Sequence, residues 1–264
     1  MDVSESGPMF AGLGYDFMAI TDHNKAPDEA QWRVWQEQAN LVLIPGEENG
    51  RLDHILELGV YDVTETPSDD FSERVRALRQ AGGFVAACHP QEYEHGEDNV
   101  WAGVGDLHAF EIFNGLREGR GCDEAANVRI WDSILTSGER IWGIATDDFH
   151  CQYTTPGHGW VCVQVPEGDG EVTWQQIVSQ LKAGAFYAST SPKFNEIVLD
   201  DDTIFASSDK WVDRICVIGP GGKALYEQAG NELTWKVENG HTYFRLEIHC
   251  GVRKAWSQPF FLEA

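Results

Sequence analysis

The sequence predicts an α/β protein: residues 1–192 carry a parallel sheet or barrel, and residues 193–264 form a small antiparallel β domain. Three observations carry this. From Phe17 to about Val165 short apolar runs recur that are continuous rather than alternating, the mark of strands buried on both faces. Segments with helical spacing lie between them. From about Asn195 onward β-rich runs divided by turn signals take over.

Taken in order, the strand runs are "FMAIT" at 17–21, "LVLIP" at 41–45, "HILELGV" at 54–60, "FVAAC" at 84–88, "AFEIF" at 109–113, "IWGIAT" at 141–146 and "WVCVQV" at 160–165. The segment at 27–39 places Asp and Glu in its first turn and Trp32, Trp35 and Ala39 at helical spacing. At 69–83, Phe71, Val75 and Leu78 share one face and Gly82-Gly83 ends the run. Helices also fit 124–136 and 173–183. In the last part, "EIVLD", "RICVIGP", "LTWKVENG" and "TYFRLEIHC" are separated by turns such as Pro220-Gly221-Gly222 and Asn239-Gly240. Trp211, Trp235 and Trp256 are either core aromatics of this part, the preferred reading, or stacking platforms for a carbohydrate.

The chain has 264 residues, 42% of them hydrophobic, enough for a substantial core. Its 43 acidic against 19 basic residues give a net charge of −24, which excludes a nucleic-acid-coating role because phosphate neutralisation needs Lys and Arg. Cys88, Cys122, Cys151, Cys162, Cys216 and Cys250 are scattered, with no C-x-x-C pair, as in reduced cytosolic chains. No apolar run approaches the roughly 20 residues needed to span a bilayer. "MDVSESGPMF" lacks the features of a signal peptide, so a soluble, cytoplasmic protein without membrane partners is expected.

In parallel α/β folds the functional groups gather beyond the carboxyl ends of the strands. Here those ends read Asp22-His23, Gly46-Glu47-Glu48, His89-Pro90, Asn114-Gly115 and Asp147-Asp148-Phe149-His150. A single such histidine is commonly a loop or cap residue. Several converging by topology form the imidazole and carboxylate set that binds Zn, Mn or Fe. His54 opens its apolar run, and a hairpin or short crossover would return it to the same rim. There is no nucleophile elbow, phosphate loop or dinucleotide fingerprint.

"GYDFMAITDHN", "LIPGEE", "HILELGV", "AGGFVAACHP", "FEIFNG" and "IWGIATDDFH" resemble, in order and spacing, the motifs of the polymerase and histidinol phosphatase (PHP) superfamily of metal-dependent hydrolases. The likeness is closest to the branch that includes carbaryl-hydrolase-like proteins, and it extends through "LKAGAFYASTSP" into the β-rich tail. The resemblance implies a distorted (β/α)7 barrel with up to three divalent ions at its rim. It assigns Glu47 as a bridging ligand, His54 and His89 to one ion, Asp148 to another, and His23 with His150 to a third. Asp22 and Asp147 would orient ligands or take a proton. Arg117 would grip an anionic substrate, or else pair on the surface with Glu118 or Asp123.

In this family a strand ending in His-x-His precedes the segment matching "GYDFMAITDH", whereas "MDVSESGPMFAGL" holds no histidine. The first barrel strand is therefore expected to be absent. Two sheet edges would be left unpaired and fewer ions bound. A truncated chain is the preferred explanation, ahead of a diverged N-terminus or a strand supplied by a partner chain in an oligomer. The expected function is hydrolysis of a small anionic phosphoester. Carbamate or carboxylic ester hydrolysis at the same site, or a scaffold that only binds, are the alternatives.

Overall fold

Apolar runs become strands because buried backbone must pair its N–H and C=O groups. The computed structural model describes residues 1–262 apart from 51–52, 67–68, 93–104, 122–123, 152–154, 167, 169 and 239. One sheet has six strands in the order β1 (Phe17–Ile20), β2 (Val42–Asn49), β3 (Ile55–Leu58), β4 (Phe84–Ala87), β5 (Ala109–Asn114) and β6 (Trp142–Thr146). β1–β2, β4–β5 and β5–β6 are parallel, but β3 runs antiparallel to both of its neighbours. The expectation of a parallel sheet or barrel gives way at β3 to the hairpin that the sequence also allowed before His54, for a simple reason. Only residues 50–54 separate β2 from β3, and a parallel crossover needs about a dozen residues.

The four expected helices are present as α2 (Glu29–Gln38), α3 (Phe71–Ala81), α5 (Glu124–Thr136) and α6 (Trp174–Ala183). Asp28 and Asp70 cap α2 and α3 by accepting the N–H groups of Gln31 and Glu73. Gly82 ends α3 in the left-handed region, φ 95°, where a side chain would be strained. Thr173 and Gln176 form a capping box on α6. Two helices were not anticipated: α1 (Val3–Gly12) and the single turn α4 (Gly115–Glu118). α1 buries Val3 and Phe10 with Ala39, Leu41 and Leu43. It packs this closely only because residue 7 is glycine, whose added Cβ would lie 2.5 Å from the Ala39 carbonyl oxygen.

A second sheet has the order β12-β11-β14-β15-β8-β7, with β16 on β14. Its strands are β7 (Trp160–Val163), β8 (Phe186–Ser189), β11 (Arg214–Gly219), β12 (Lys223–Ala229), β14 (Tyr243–Cys250), β15 (Arg253–Ser257) and β16 (Phe260–Phe261). A third, three-stranded sheet joins β9 (Phe194–Asp200), β10 (Thr203–Ser208) and β13 (Glu232–Lys236). β8 pairs with β15, so one ladder crosses the division expected at residues 192 and 193. Trp235 and Trp256 are buried, whereas Trp211 is exposed.

The six-stranded sheet curls into a half-barrel. Among the described residues β1 pairs only with β2, and β7 only with β8. Both edges line a cavity of about 1660 Å³ whose walls include Ile44, Leu58, Phe84 and Ile144. Five cysteines are free, and Cys122 lies outside the described residues. No described helix is long and apolar enough to cross a membrane.

Candidate metal centre

The reversal of β3 builds the centre. Because β3 is antiparallel, its first residues return to the rim where β2 and β4 end, and His54 comes to lie beside Glu48 and His89. Arg74 of α3 ties Asn49, at the end of β2, to Asp53, just before His54, by donating to their carbonyl oxygens at 2.7 and 2.8 Å. His23, just after β1, forms an isolated parallel bridge with Glu48. Four side chains from four segments therefore face one point.

Their distances are short. His54 Nδ1 lies 2.7 Å and His89 Nε2 3.2 Å from Glu48 Oε1, and His23 Nδ1 lies 3.5 Å from Oε2. His54 Nδ1 and His89 Nε2 are 3.1 Å apart. Ligand atoms of His23, Glu48 and His54 all fall within 4.8 Å of one another. Burial opposes the charge of Glu48, but the bonds from His54 and His89 outweigh it and hold the carboxyl well below its ordinary value. Burial likewise opposes protonation of His89, and the bond to Glu48 reverses the direction, so its pKa is raised.

Glu47, expected to bridge two ions, does not reach this point. Neighbouring strand residues face opposite sides of a sheet, so Glu48 takes the rim and Glu47 the other face. There Glu47 accepts the Thr64 N–H at 3.0 Å and opposes Glu57 across the ladder. Both glutamates are fully buried. Burial raises the pKa of Glu47 and pushes that of Glu57 up to about 7.

The remaining expected residues divide. Asp148 Oδ1 and His150 Nδ1 are 3.3 Å apart, and the rings of His150 and His23 face each other at 5.8 Å, so the structure brings this pair to the same mouth. Asp147 is engaged elsewhere. Its Oδ2 accepts the Tyr15 hydroxyl at 2.6 Å, and its Oδ1 accepts the N–H groups of Gly157, His158 and Gly159. It anchors the loop before β7. Asp22 is exposed at the cavity mouth beside His23. Arg117 sits on α4 near enough for its charge to act on His89; Glu118 instead approaches His158 and Arg253, and Asp123 lies outside the described residues. Cys88 is buried beneath the rim and Cys151 exposed at it.

Imidazole nitrogens and carboxylate oxygens from separate segments gathered within ligand distance of one another are the donor set of a divalent ion such as Zn, Mn or Fe, and the residues fit such an ion. Sequence reasoning missed Glu111, buried on β5, which accepts hydrogen bonds from the residues on both sides of the rim. Its only signal was a charged residue inside a continuous apolar run.

No protein-family model matches the chain, and no curated protein matches its sequence. Among solved structures it is similar to a two-domain protein from Bacteroides vulgatus ATCC 8482 that contains a predicted PHP-like metal-dependent phosphoesterase. The TM-score is 0.51 and the identity 15%, over 95% of this chain and 87% of that one. The likeness is one of fold, and this chain is a mixed α/β protein with a curled half-barrel sheet and further antiparallel sheets.

Proposed function

We propose that this chain is a metal-dependent hydrolase acting on a small anionic phosphoester. The observation that carries the proposal is the convergence of His23, Glu48, His54 and His89 at the mouth of a large cavity. In this reading those four residues hold one divalent ion, and Asp148 with His150 contributes to a neighbouring position. Such an ion, when bound, activates water and takes up charge on a phosphoryl oxygen. The chain's own residues do the rest. Asp22, exposed beside His23, accepts the proton released from water. Asp147 holds the 157–159 loop against the mouth through its three N–H bonds. Arg117, with a planar fork matched to phosphate, binds and orients the anion. The fold likeness supports a phosphoesterase within the PHP superfamily. It does not single out the carbaryl-hydrolase branch, nor the carbamate, carboxylic ester and binding-scaffold alternatives.

The test is hydrolysis of p-nitrophenyl phosphate by protein stripped with EDTA and then resupplied with Mn2+ or Zn2+. Turnover should vanish on stripping and return with the ion. Turnover that survives EDTA, or a preference for the neutral p-nitrophenyl acetate over the phosphate, would overturn the proposal.

A further inference from the structure

Two of the residues that face the centre have unusual backbones. His89 has φ 28° and Asp148 φ 45°, left-handed conformations that non-glycine residues adopt only where their surroundings fix them. His89 follows β4 and Asp148 follows β6, and β5 runs between these two strands. The side chains that meet both come from β5.

Glu111 of β5 is 2% exposed. Its Oε2 accepts the His89 backbone N–H and the Asn114 amide, the latter at 3.0 Å, while its Oε1 accepts the Thr146 hydroxyl at 2.5 Å. Asn114 Nδ2 donates in turn to Asp148 Oδ2 at 3.1 Å. The orientation of that amide is set from behind, because Asn114 Oδ1 accepts the Arg117 N–H at 3.0 Å, leaving Nδ2 to face the two carboxylates. Three donors from three segments thus converge on one buried carboxylate, which has acceptor sites enough for all of them.

We infer that Glu111 is a positioning residue of the metal centre: it holds His89 directly and Asp148 through Asn114, and so sets the two halves of the rim against each other. The inference rests on the metal reading proposed above. It predicts that geometry rather than charge is what Glu111 supplies. In Glu111→Gln the amide oxygen can still accept from His89 and Asn114, while the NH2 group donates to a rotated Thr146 hydroxyl. In Glu111→Ala three buried donors lose their acceptor.

The experiment measures Zn2+ affinity of the whole protein by competition with a chromogenic chelator, together with the visible spectrum of the Co2+ form. It compares the wild type with Glu111→Ala, Glu111→Gln and His89→Ala. Glu111→Ala should weaken Zn2+ roughly 10–100-fold and alter the Co2+ spectrum, whereas Glu111→Gln should stay within about threefold with an unchanged spectrum. If His89→Ala binds Zn2+ like the wild type, the metal reading falls and the inference with it. If His89→Ala loses Zn2+ but Glu111→Ala does not, or if Gln fails as badly as Ala, the inference alone is overturned. Should Glu111→Ala not fold by circular dichroism, Asn114→Ala severs the Asp148 arm, together with the Arg117 N–H bond that caps α4, and leaves the His89 bond to Glu111 in place; it should shift the Co2+ spectrum, and an unchanged spectrum would refute the inference.

Discussion

Glu48 shows how neighbours decide the state of one carboxyl. Burial would protonate it, yet two imidazoles bonded to Oε1 and a third beside Oε2 keep it charged, the form an ion requires. Arg117 works at longer range, its charge felt by His89. If it grips the substrate anion, Arg117→Ala should raise KM for an aryl phosphate by about tenfold and leave the ion content unchanged, since a charge-assisted hydrogen bond contributes about 1.5–3 kcal/mol. An equal loss for a neutral ester would argue against the role. At this scale the histidines were legible, because each stands beside an apolar run, His54 at the start of one and the others just past the end. The choice between Glu47 and Glu48 was not. Both follow "LIPG", and which one faces the rim depends on strand register, which a single residue inverts. Glu111 was illegible for another reason: two of its three partners, His89 after β4 and Thr146 of β6, are distant in sequence.

The β2–β3 hairpin carries the centre on one face and a pair of buried acids, Glu47 and Glu57, on the other. With its pKa pushed up to about 7 by burial, Glu57 is preferentially neutral in the fold. A carboxyl whose pKa is raised on folding supports stability fully below its ordinary value of 4.5, and that support is lost as pH rises through about 7. Glu57→Gln should therefore raise the thermal midpoint by roughly 2–4 °C at pH 8, and the gain should shrink or reverse at pH 5. A gain of equal size at both pH values would show that the acid is not strained by its charge. The hairpin itself was half legible. The short spacing from Glu47 to His54 allowed it, but the uniformly apolar runs pointed to parallel strands throughout. β3 is buried like β2 and β4 on either side of it, so its composition carries no trace of its direction.

Across the whole molecule, the half-barrel and the C-terminal β sheet are joined by buried charge. Arg245 of β14 makes a two-pronged contact with Asp132 of α5 at 2.9 and 2.8 Å and bonds Glu247 at 2.9 Å, and His249 and Lys254 approach Glu247 from its other side. Removing one partner strands a buried charge, so Asp132→Ala should lower unfolding stability by about 3–5 kcal/mol in urea titrations. A loss under about 1 kcal/mol would mean that the two parts do not depend on this contact. None of this was legible in sequence, where Asp132 and Arg245 are ordinary charges within a helix and a strand. The change of texture near Asn195 was real. However, β7 and β8 precede it and still complete the second sheet, because strand pairing follows edges in space rather than composition.

The central claim, that the rim is a metal centre built on Glu48, is tested most directly by the ion content of the intact protein. Wild type, Glu48→Gln and Glu47→Gln would be stripped with EDTA, equilibrated with Zn2+ or Mn2+, freed of excess and measured by mass spectrometry. The wild type and Glu47→Gln should each retain at least one ion per chain, about the same amount in both, and Glu48→Gln should retain almost none. A folded wild type that holds no ion, or a Glu48→Gln protein as fully loaded as the wild type, would contradict the account.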